Sequence, residues 1–317
     1  MQKFLNKIIC GDCIEVLANA RPFADLIFAD PPFNIGYKYD KYHDKVKSKN
    51  YIAWTKDWMA VCKKVLKPHG SFYIAIGDEY AANVKVIADE LGLFMRNWLI
   101  WHYTFGQQMK SKFARSHTHV FYFVKDKNHF TFNHHAVRIP SDRQLLYNDK
   151  RANPAGKMPD DVWSQYPRVC GTFKERTGWH PCQMPESLLK RIIAVSSNPG
   201  DCVLDPFSGS GTTAVTATLL DRNYVGVEIS QKYVENSRKR LAQLKKHSAG
   251  QQTSPFFSTT ELNELKRLLF DMKSPAKQIA SDKALLKLFT NQFAVRMNNA
   301  KKYDPHQIAT TLEDLTD

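Results

Sequence analysis

Val203-Leu204-Asp205-Pro206-Phe207-Ser208-Gly209-Ser210-Gly211-Thr212-Thr213-Ala214 passes from an apolar strand through a glycine turn into the start of a helix. Glycines let the backbone turn sharply and approach a ligand closely. Glu228, which closes the next apolar strand over 224–228, offers a carboxylate that can take both hydroxyls of a ribose. This order predicts a nucleoside site in an open α/β sheet. The spacing also fits the loose dinucleotide pattern G-x-G-x-x-A, so alone it does not separate a nicotinamide cofactor from S-adenosylmethionine. It lacks the Gly-Lys-Ser/Thr ending of a phosphate-binding P-loop.

Upstream, Ala24-Asp25-Leu26-Ile27-Phe28-Ala29 is a short apolar strand that runs into Asp30-Pro31-Pro32-Phe33. Two prolines cannot extend a central strand and so mark its carboxyl end, where open α/β sheets bind ligands. Ile52, Met59, Cys62, Val65 and Leu66 recur near the helical period and predict a helix over 50–67, stopped by Pro68-His69-Gly70 ahead of a strand over 71–77. Further helices are expected over 81–92, 186–197, 212–220 and 231–246, and strands over 98–101, 120–124 and 202–205. The alternation predicts a doubly wound, mostly parallel α/β sheet. Periodicity fails between 125 and 178, an irregular insert, and 247–255 reads as a linker. Residues 1–250 then form the main domain, and 251–317 a small helical module with Leu262, Leu265, Leu268 and Leu269 at helical spacing.

With 317 residues, 43% of them hydrophobic, the chain can bury a large core. Its 45 Lys+Arg against 31 Asp+Glu give a net charge of +14, which suits a polyanionic partner. The segment 251–317 is nearly balanced, so the excess positive charge lies on residues 1–250. No apolar run approaches the roughly 18 residues that span a bilayer, and Met1-Gln2-Lys3-Phe4 opens without a signal-type apolar stretch, so no leader is expected; the expected location is the cytoplasm, at the nucleoid through DNA. Six scattered cysteines fit a reduced compartment. Cys10 and Cys13 form a C-x-x-C pair with no second pair at zinc spacing, and His117/His119 and His134/His135 lack partners, so no metal is expected.

The chemistry of Asp30-Pro31-Pro32-Phe33 follows from its residue types. An exocyclic amino group is a poor nucleophile because its lone pair is delocalised into the ring. Two acceptors on its hydrogens, the Asp30 carboxylate and the Pro31 carbonyl, draw that density back to nitrogen. Phe33 can stack on a base that has left its helix.

Together these pieces resemble the β-class DNA amino-methyltransferases, which modify adenine N6 or cytosine N4 with S-adenosylmethionine. The resemblance spans roughly residues 5–245 and includes a permuted order, Asp30 preceding Gly209. It implies that Asp12 and Cys13 meet the cofactor's adenine, and that His180 and Gln183 of His180-Pro181-Cys182-Gln183-Met184-Pro185 meet its methionine end. It implies that Asp205, Phe207, Ser208, Gly209, Gly211, Thr212 and Thr213 form the cofactor loop beside Asp30, and that Glu228 binds the ribose. Met184 departs from the family, where Lys is common. Aspartate at position 30 favours adenine, since cytosine-N4 members usually carry serine there.

The resemblance also implies that target recognition in double-stranded DNA is built near 125–178, where Arg138, Arg143, Arg168, Lys174 and Arg176 are suited to phosphate or guanine contacts. Residues 37–49, with Lys41, Lys45 and Lys47 among aromatics, read as a lid over the flipped base. Lys110, Lys112 and Arg115 form a second basic loop over 107–115. A homodimer is compatible with the family, with 251–317 as the pairing element, and a restriction enzyme would be a separate chain. A nicotinamide-dependent oxidoreductase would explain the glycine motif but neither Asp30-Pro31-Pro32-Phe33 nor the charge; a non-catalytic DNA-binding protein would explain the charge alone.

Overall fold

The computed structural model describes residues 4–107, 110–147, 149–248, 254–299 and 301–315. Strands are β1 (Lys7–Cys10), β2 (Ala24–Ala29), β3 (Leu66–Ile76), β4 (Phe94–Gln107), β5 (Arg115–Val124), β6 (Val162–Trp163), β7 (Cys202–Asp205) and β8 (Asn223–Glu228). Helices are α1 (Cys13–Leu17), α2 (Ser48–Val65), α3 (Asp78–Glu90), α4 (Asp142–Leu145), α5 (Glu186–Ser196), α6 (Thr212–Leu219), α7 (Gln231–Ser248), α8 (Thr259–Met272), α9 (Ala276–Ser281), α10 (Lys283–Met297) and α11 (Pro305–Asp314).

The eight strands form one sheet in the order β1-β8-β7-β2-β3-β5-β4-β6. The expected doubly wound, largely parallel sheet is present: β1, β8, β7, β2 and β3 are parallel neighbours. One half departs from it, because β5 runs antiparallel to both β3 and β4. Strands read as 98–101 and 120–124 extend to Phe94–Gln107 and Arg115–Val124, since a long antiparallel pair satisfies its own backbone even where side chains turn polar. Gln107 and Arg115 pair across the expected basic loop, of which residues 108 and 109 lie outside the described residues.

Strand β2 has all six residues buried, as a central strand covered on both faces requires. Its side chains alternate between two apolar layers. Ile27 and Ala29 join Trp58, Met59 and Val84 of α2 and α3, whereas Leu26 and Phe28 join Leu188, Ile192 and Val215 of α5 and α6. Each large buried aliphatic side chain contributes about 1.5–3 kcal/mol. At the amino end, the buried Asp25 carboxylate accepts from Cys202 N (2.9 Å), Lys67 Nζ (2.8 Å) and His69 Nε2 (2.9 Å), joining β2, β3 and β7.

The chain divides into two compact units, Met1–Phe132 with Asp161–Ala249, and Asn133–Asp160 with Gly250–Asp317. This division differs from the one read in the sequence, because 133–160 leaves the main domain and packs with the C-terminal helices. In the second unit Leu262, Leu265 and Leu268 of α8 are buried with Ile279, Phe289, Phe293 and Ile308, and Leu145 of α4 packs against them. Arg296, buried on α10, accepts no solvent role: it pairs with Asp271 (2.7 Å) and Glu264 (3.2 Å) and donates to the Arg138 carbonyl (2.8 Å). Helical spacing announces α8, but nothing local in an irregular segment announces which core receives it. Of the expected linker 247–255, residues 249–253 lie outside the described residues.

Candidate active site and cofactor cleft

The neighbouring strands β1, β8, β7 and β2 all end at one edge of the sheet, and the turns that leave them line a single cleft. Gly11-Asp12-Cys13 follows β1, Glu228 to Ser230 closes β8, Asp205 to Ser210 follows β7, and Asp30 and Pro32 follow β2. The cleft encloses about 980 Å³, its open mouth included. It lies where the strand order reverses between β7 and β2, so that the outgoing connections diverge and leave a crevice.

The carboxylates of the cleft first build its loops. Glu228 Oε2 accepts from Gly209 N (2.8 Å) and Oε1 from Ser230 N (2.9 Å). Asp205 accepts from Phe207 N (2.9 Å) and Thr213 Oγ1 (2.5 Å), and Asp12 caps α1 through Ile14 N (2.7 Å). Each oxygen carries two lone pairs, so acceptor capacity remains for a ligand. Gly209 and Gly211 adopt φ of +46° and +72°; a Cβ on Gly209 would stand 2.7 Å from His180 Nε2. Phe207 packs on Trp54 and Trp58 with ring separations of 5.6 and 5.2 Å. The buried Ser208 Oγ, also on the wall, has no partner among the described residues. Asp12, Asp30, Asp205 and Glu228 line the cleft against one lysine, Lys41. Aromatic walls, ribose-competent carboxylates and an excess of acid fit a cationic nucleoside such as S-adenosylmethionine.

Burial pushes the Asp30 carboxyl up to about 8; Asp205 adds to the rise and Arg168 opposes it. Asp205 is pushed to about 7, again by burial, against the hydrogen bonds from Thr213 and Phe207. Burial lowers His180 to about 4, leaving a neutral ring, and holds the Cys13 thiol near 12, where it is unreactive. Tyr51 Oη donates to the Pro32 carbonyl at 2.5 Å. Phe33 packs partly buried against the apolar layer, close enough to Gly77 that a Cβ there would stand 3.3 Å from its ring.

A sequence profile described as DNA methylase matches residues 24–239, two thirds of the chain, and the span runs from the start of β2 into α7. The chain belongs to this DNA methylase family. It is similar to the Type II methyltransferase M.HpaI of Haemophilus parainfluenzae, 35% identical over 237 residues that cover 74% of each chain. It is likewise similar to the DNA adenine methyltransferase YhdJ of Escherichia coli, 37% identical over 253 residues covering 76% of this chain and 84% of the relative. Among solved structures, the M1.HpyAVI–SAM complex covers 74% of this chain and 98% of that one, with a TM-score of 0.54 and 22% identity. The cytosine-N4-specific PvuII DNA methyltransferase covers 86% and 96%, with a TM-score of 0.57 and 19% identity, a likeness of fold. The chain is accordingly a DNA methyltransferase whose methyl donor is S-adenosylmethionine.

In this DNA methylase, Asp12, Cys13, Asp30, Pro32, His180, Asp205, Phe207, Ser208, Gly209, Thr212, Thr213 and Glu228 line one cleft. Pro31, Phe33 and Gly211 are not among the residues that line it. Gln183 does not line it: its amide is buried, accepting from Thr177 N (2.9 Å) and donating to the Glu175 carbonyl (2.7 Å), so it shapes the loop that presents His180. Lys41 lies on the cofactor cleft, with Tyr39 and Tyr42 beside it, so the expected lid reaches toward the cofactor. Lys45, Lys47, Lys110, Lys112, Arg168, Lys174 and Arg176 are exposed. Arg115 is paired with Asp78 at 2.7 Å. In the second unit Arg143 lies 3.8 Å from Asp149. Arg138 there gives its guanidinium to the carbonyls of Ala155 (2.9 Å) and Gly156 (2.6 Å), a structural use that leaves it unsuited to reading a base.

Sequence reading missed Ser230, Tyr233, Trp54 and Cys182, all on the cleft wall. Ser230 carried a signal, since its Oγ accepts from Tyr233 N (3.2 Å) in the manner of a helix cap at the start of α7. Trp54 carried none, because only packing brings it there, whereas Cys182 lies inside the His180 to Pro185 motif and was passed over between His180 and Gln183.

Proposed function

We propose that this methyltransferase modifies N6 of adenine in a specific double-stranded DNA sequence, with the target base flipped out of the helix. The observation that carries the reading is the placement of Asp30, at the carboxyl end of β2, in the same cleft as the Gly209 loop and Glu228. Asp12, Phe207, the 208–213 turn and Glu228 would hold S-adenosylmethionine, which when bound supplies an electrophilic methyl group on a sulfonium.

The remaining work belongs to the chain. Asp30 and the Pro31 carbonyl accept the two amino hydrogens and so return the lone pair to nitrogen. Burial raises the Asp30 carboxyl in the free cleft; with the cofactor's positive charge beside it the group is ionised, and the carboxylate takes the proton that the methylated nitrogen sheds. Phe33 stacks on the flipped base, offsetting about 1–3 kcal/mol of lost stacking. The 37% identical relative is named an adenine methyltransferase, which supports adenine. Recognition is assigned to the exposed Arg168, Lys174 and Arg176 of the main unit. Because several relatives are Type II methyltransferases, a restriction endonuclease of the same specificity is the expected companion, and a homodimer the expected assembly, checked by sedimentation of the full chain.

The test is transfer of labelled methyl from S-adenosylmethionine to duplex DNA, followed by digestion to nucleosides. N6-methyladenine is expected from the native chain and none from Asp30→Ala, which should still bind cofactor. Label in cytosine would replace adenine by cytosine N4; transfer surviving in Asp30→Ala would refute the catalytic assignment.

A further inference from the structure

Immediately after Phe33 the chain makes a narrow excursion and returns at Val46. Asn34, with φ of +59°, turns it: its Oδ1 accepts from Val46 N (2.7 Å) and its Nδ2 donates to the Val46 carbonyl (3.0 Å) and to Tyr80 Oη (2.8 Å). Further out Gly36 N donates to the Asp44 carbonyl (2.5 Å), and Lys38 and His43 form an antiparallel bridge. The Asp44 carboxylate, 2% exposed, accepts from the backbone N–H of Asn34 (2.7 Å), Ile35 (3.3 Å) and Tyr37 (2.9 Å). Among the described residues no Lys or Arg pairs with it. Three converging donors call for a group that only accepts, and a carboxylate is that group. The root is braced further by Tyr51, whose Oη bonds the Pro32 carbonyl and whose ring lies 4.4 Å from that of Tyr80.

The tip of the excursion reaches the other half of the site. Tyr39, Lys41 and Tyr42 line the cleft, and between them Asp40 Oδ2 accepts from Ser230 Oγ at 2.6 Å. Ser230 N in turn donates to Glu228 Oε1, the carboxylate at the end of β8.

We propose that residues 34–46 form a finger joining the catalytic motif to the cofactor cleft, with Asp44 a positioning residue at its root and Asp40 a clasp at its tip. Asp44 acts through Asn34 on the geometry of Asp30 to Phe33; Asp40 acts through Ser230 and Glu228 on retention of the nucleoside. The first half rests on Asp30 being catalytic; the second does not.

Two measurements on the full chain test it. Titration of S-adenosylmethionine without DNA should give Asp40→Ala a Kd about three- to tenfold higher, the loss of one part-buried charge-assisted hydrogen bond. Single-turnover transfer at saturating cofactor and DNA, normalised to bound cofactor, should fall on the order of 10- to 100-fold in Asp44→Asn, where a 1 Å displacement suffices. Asn34→Gly keeps the left-handed turn, removes the side-chain bonds and should show the same fall; it decides the matter if Asp44→Asn does not fold. A merely structural Asp44 would lower the melting temperature and the active fraction but leave the rate per bound cofactor unchanged, and that result overturns the positioning role. An unchanged Kd in Asp40→Ala overturns the clasp. Asp30→Ala run alongside separates failure of the catalytic assignment, which would leave the cofactor titrations intact.

Discussion

Affinity for S-adenosylmethionine should rise steeply with pH up to about 8 and then level, because Asp30 must lose a proton when a cation enters beside it. Burial, reinforced by Asp205 and opposed by Arg168, holds Asp30 near 8 in the free cleft. A neighbouring positive charge lowers a carboxyl by about 1–3 units. Taking about 2, the bound carboxyl titrates near 6, and between roughly pH 6 and 8 each unit changes affinity by about tenfold, close to 100-fold in all. Within that window proton and cofactor compete; below it Asp30 is protonated in both states, above it ionised in both, and on either side its contribution to the curve is flat. S-adenosylhomocysteine has a neutral sulfur and should bind with little dependence on pH over the same range. Asp205, near 7, contributes with the same sign but only below 7. Replacing Asp30 by Asn should therefore abolish the slope between pH 7 and 8 while leaving part of it below. Isothermal titration of both ligands at half-unit intervals reads this directly. A flat cofactor profile from pH 6 to 8, or a slope between 7 and 8 that survives in Asp30→Asn, would refute the reasoning.

Other consequences follow from the same packing. The folded protein holds a proton on Asp30 that the unfolded chain releases above its ordinary 3.8. Stability of the ligand-free protein is therefore fullest below that value, declines as pH rises toward about 8, and is flat beyond. Asp30→Asn should raise the melting temperature at pH 8 by about 2–4 °C for each kcal/mol relieved, and not at pH 4; equal curves for the two proteins would contradict the burial of a charge there. Gly77→Ala places a methyl group 3.3 Å from the Phe33 ring. Phe33 must give way, so single-turnover transfer should slow severalfold while cofactor affinity stays within about twofold. Loss of cofactor binding instead would mean that Phe33 does not face the base.

Much of the site was legible because its parts are local. Two prolines end β2 whatever the rest of the chain does, and glycines at 209 and 211 mark a turn whose φ values the structure places at +46° and +72°. Asp205 and Glu228 were readable as acids that close apolar strands, whereas β1 was not read from the sequence and Asp12 came only through the family resemblance. Gln183 and Arg138 look from sequence like polar groups awaiting a ligand, yet each is consumed by backbone atoms that only the folded chain brings near. Asp44 is one charge in a lysine-rich stretch until three N–H groups converge on it.

The sequence by itself determined the alternation of strands and helices, the order of catalytic motif before cofactor loop, and the residue types at both, since periodicity and turn chemistry act over a few residues. Only the tertiary structure decided that β1, β8, β7 and β2 end side by side, that β5 reverses the sheet, and that 133–160 joins the C-terminal helices. Those choices depend on which distant surfaces bury one another and which backbone groups find partners. Asp30 and Glu228, nearly 200 residues apart in the chain, share a cleft for that reason.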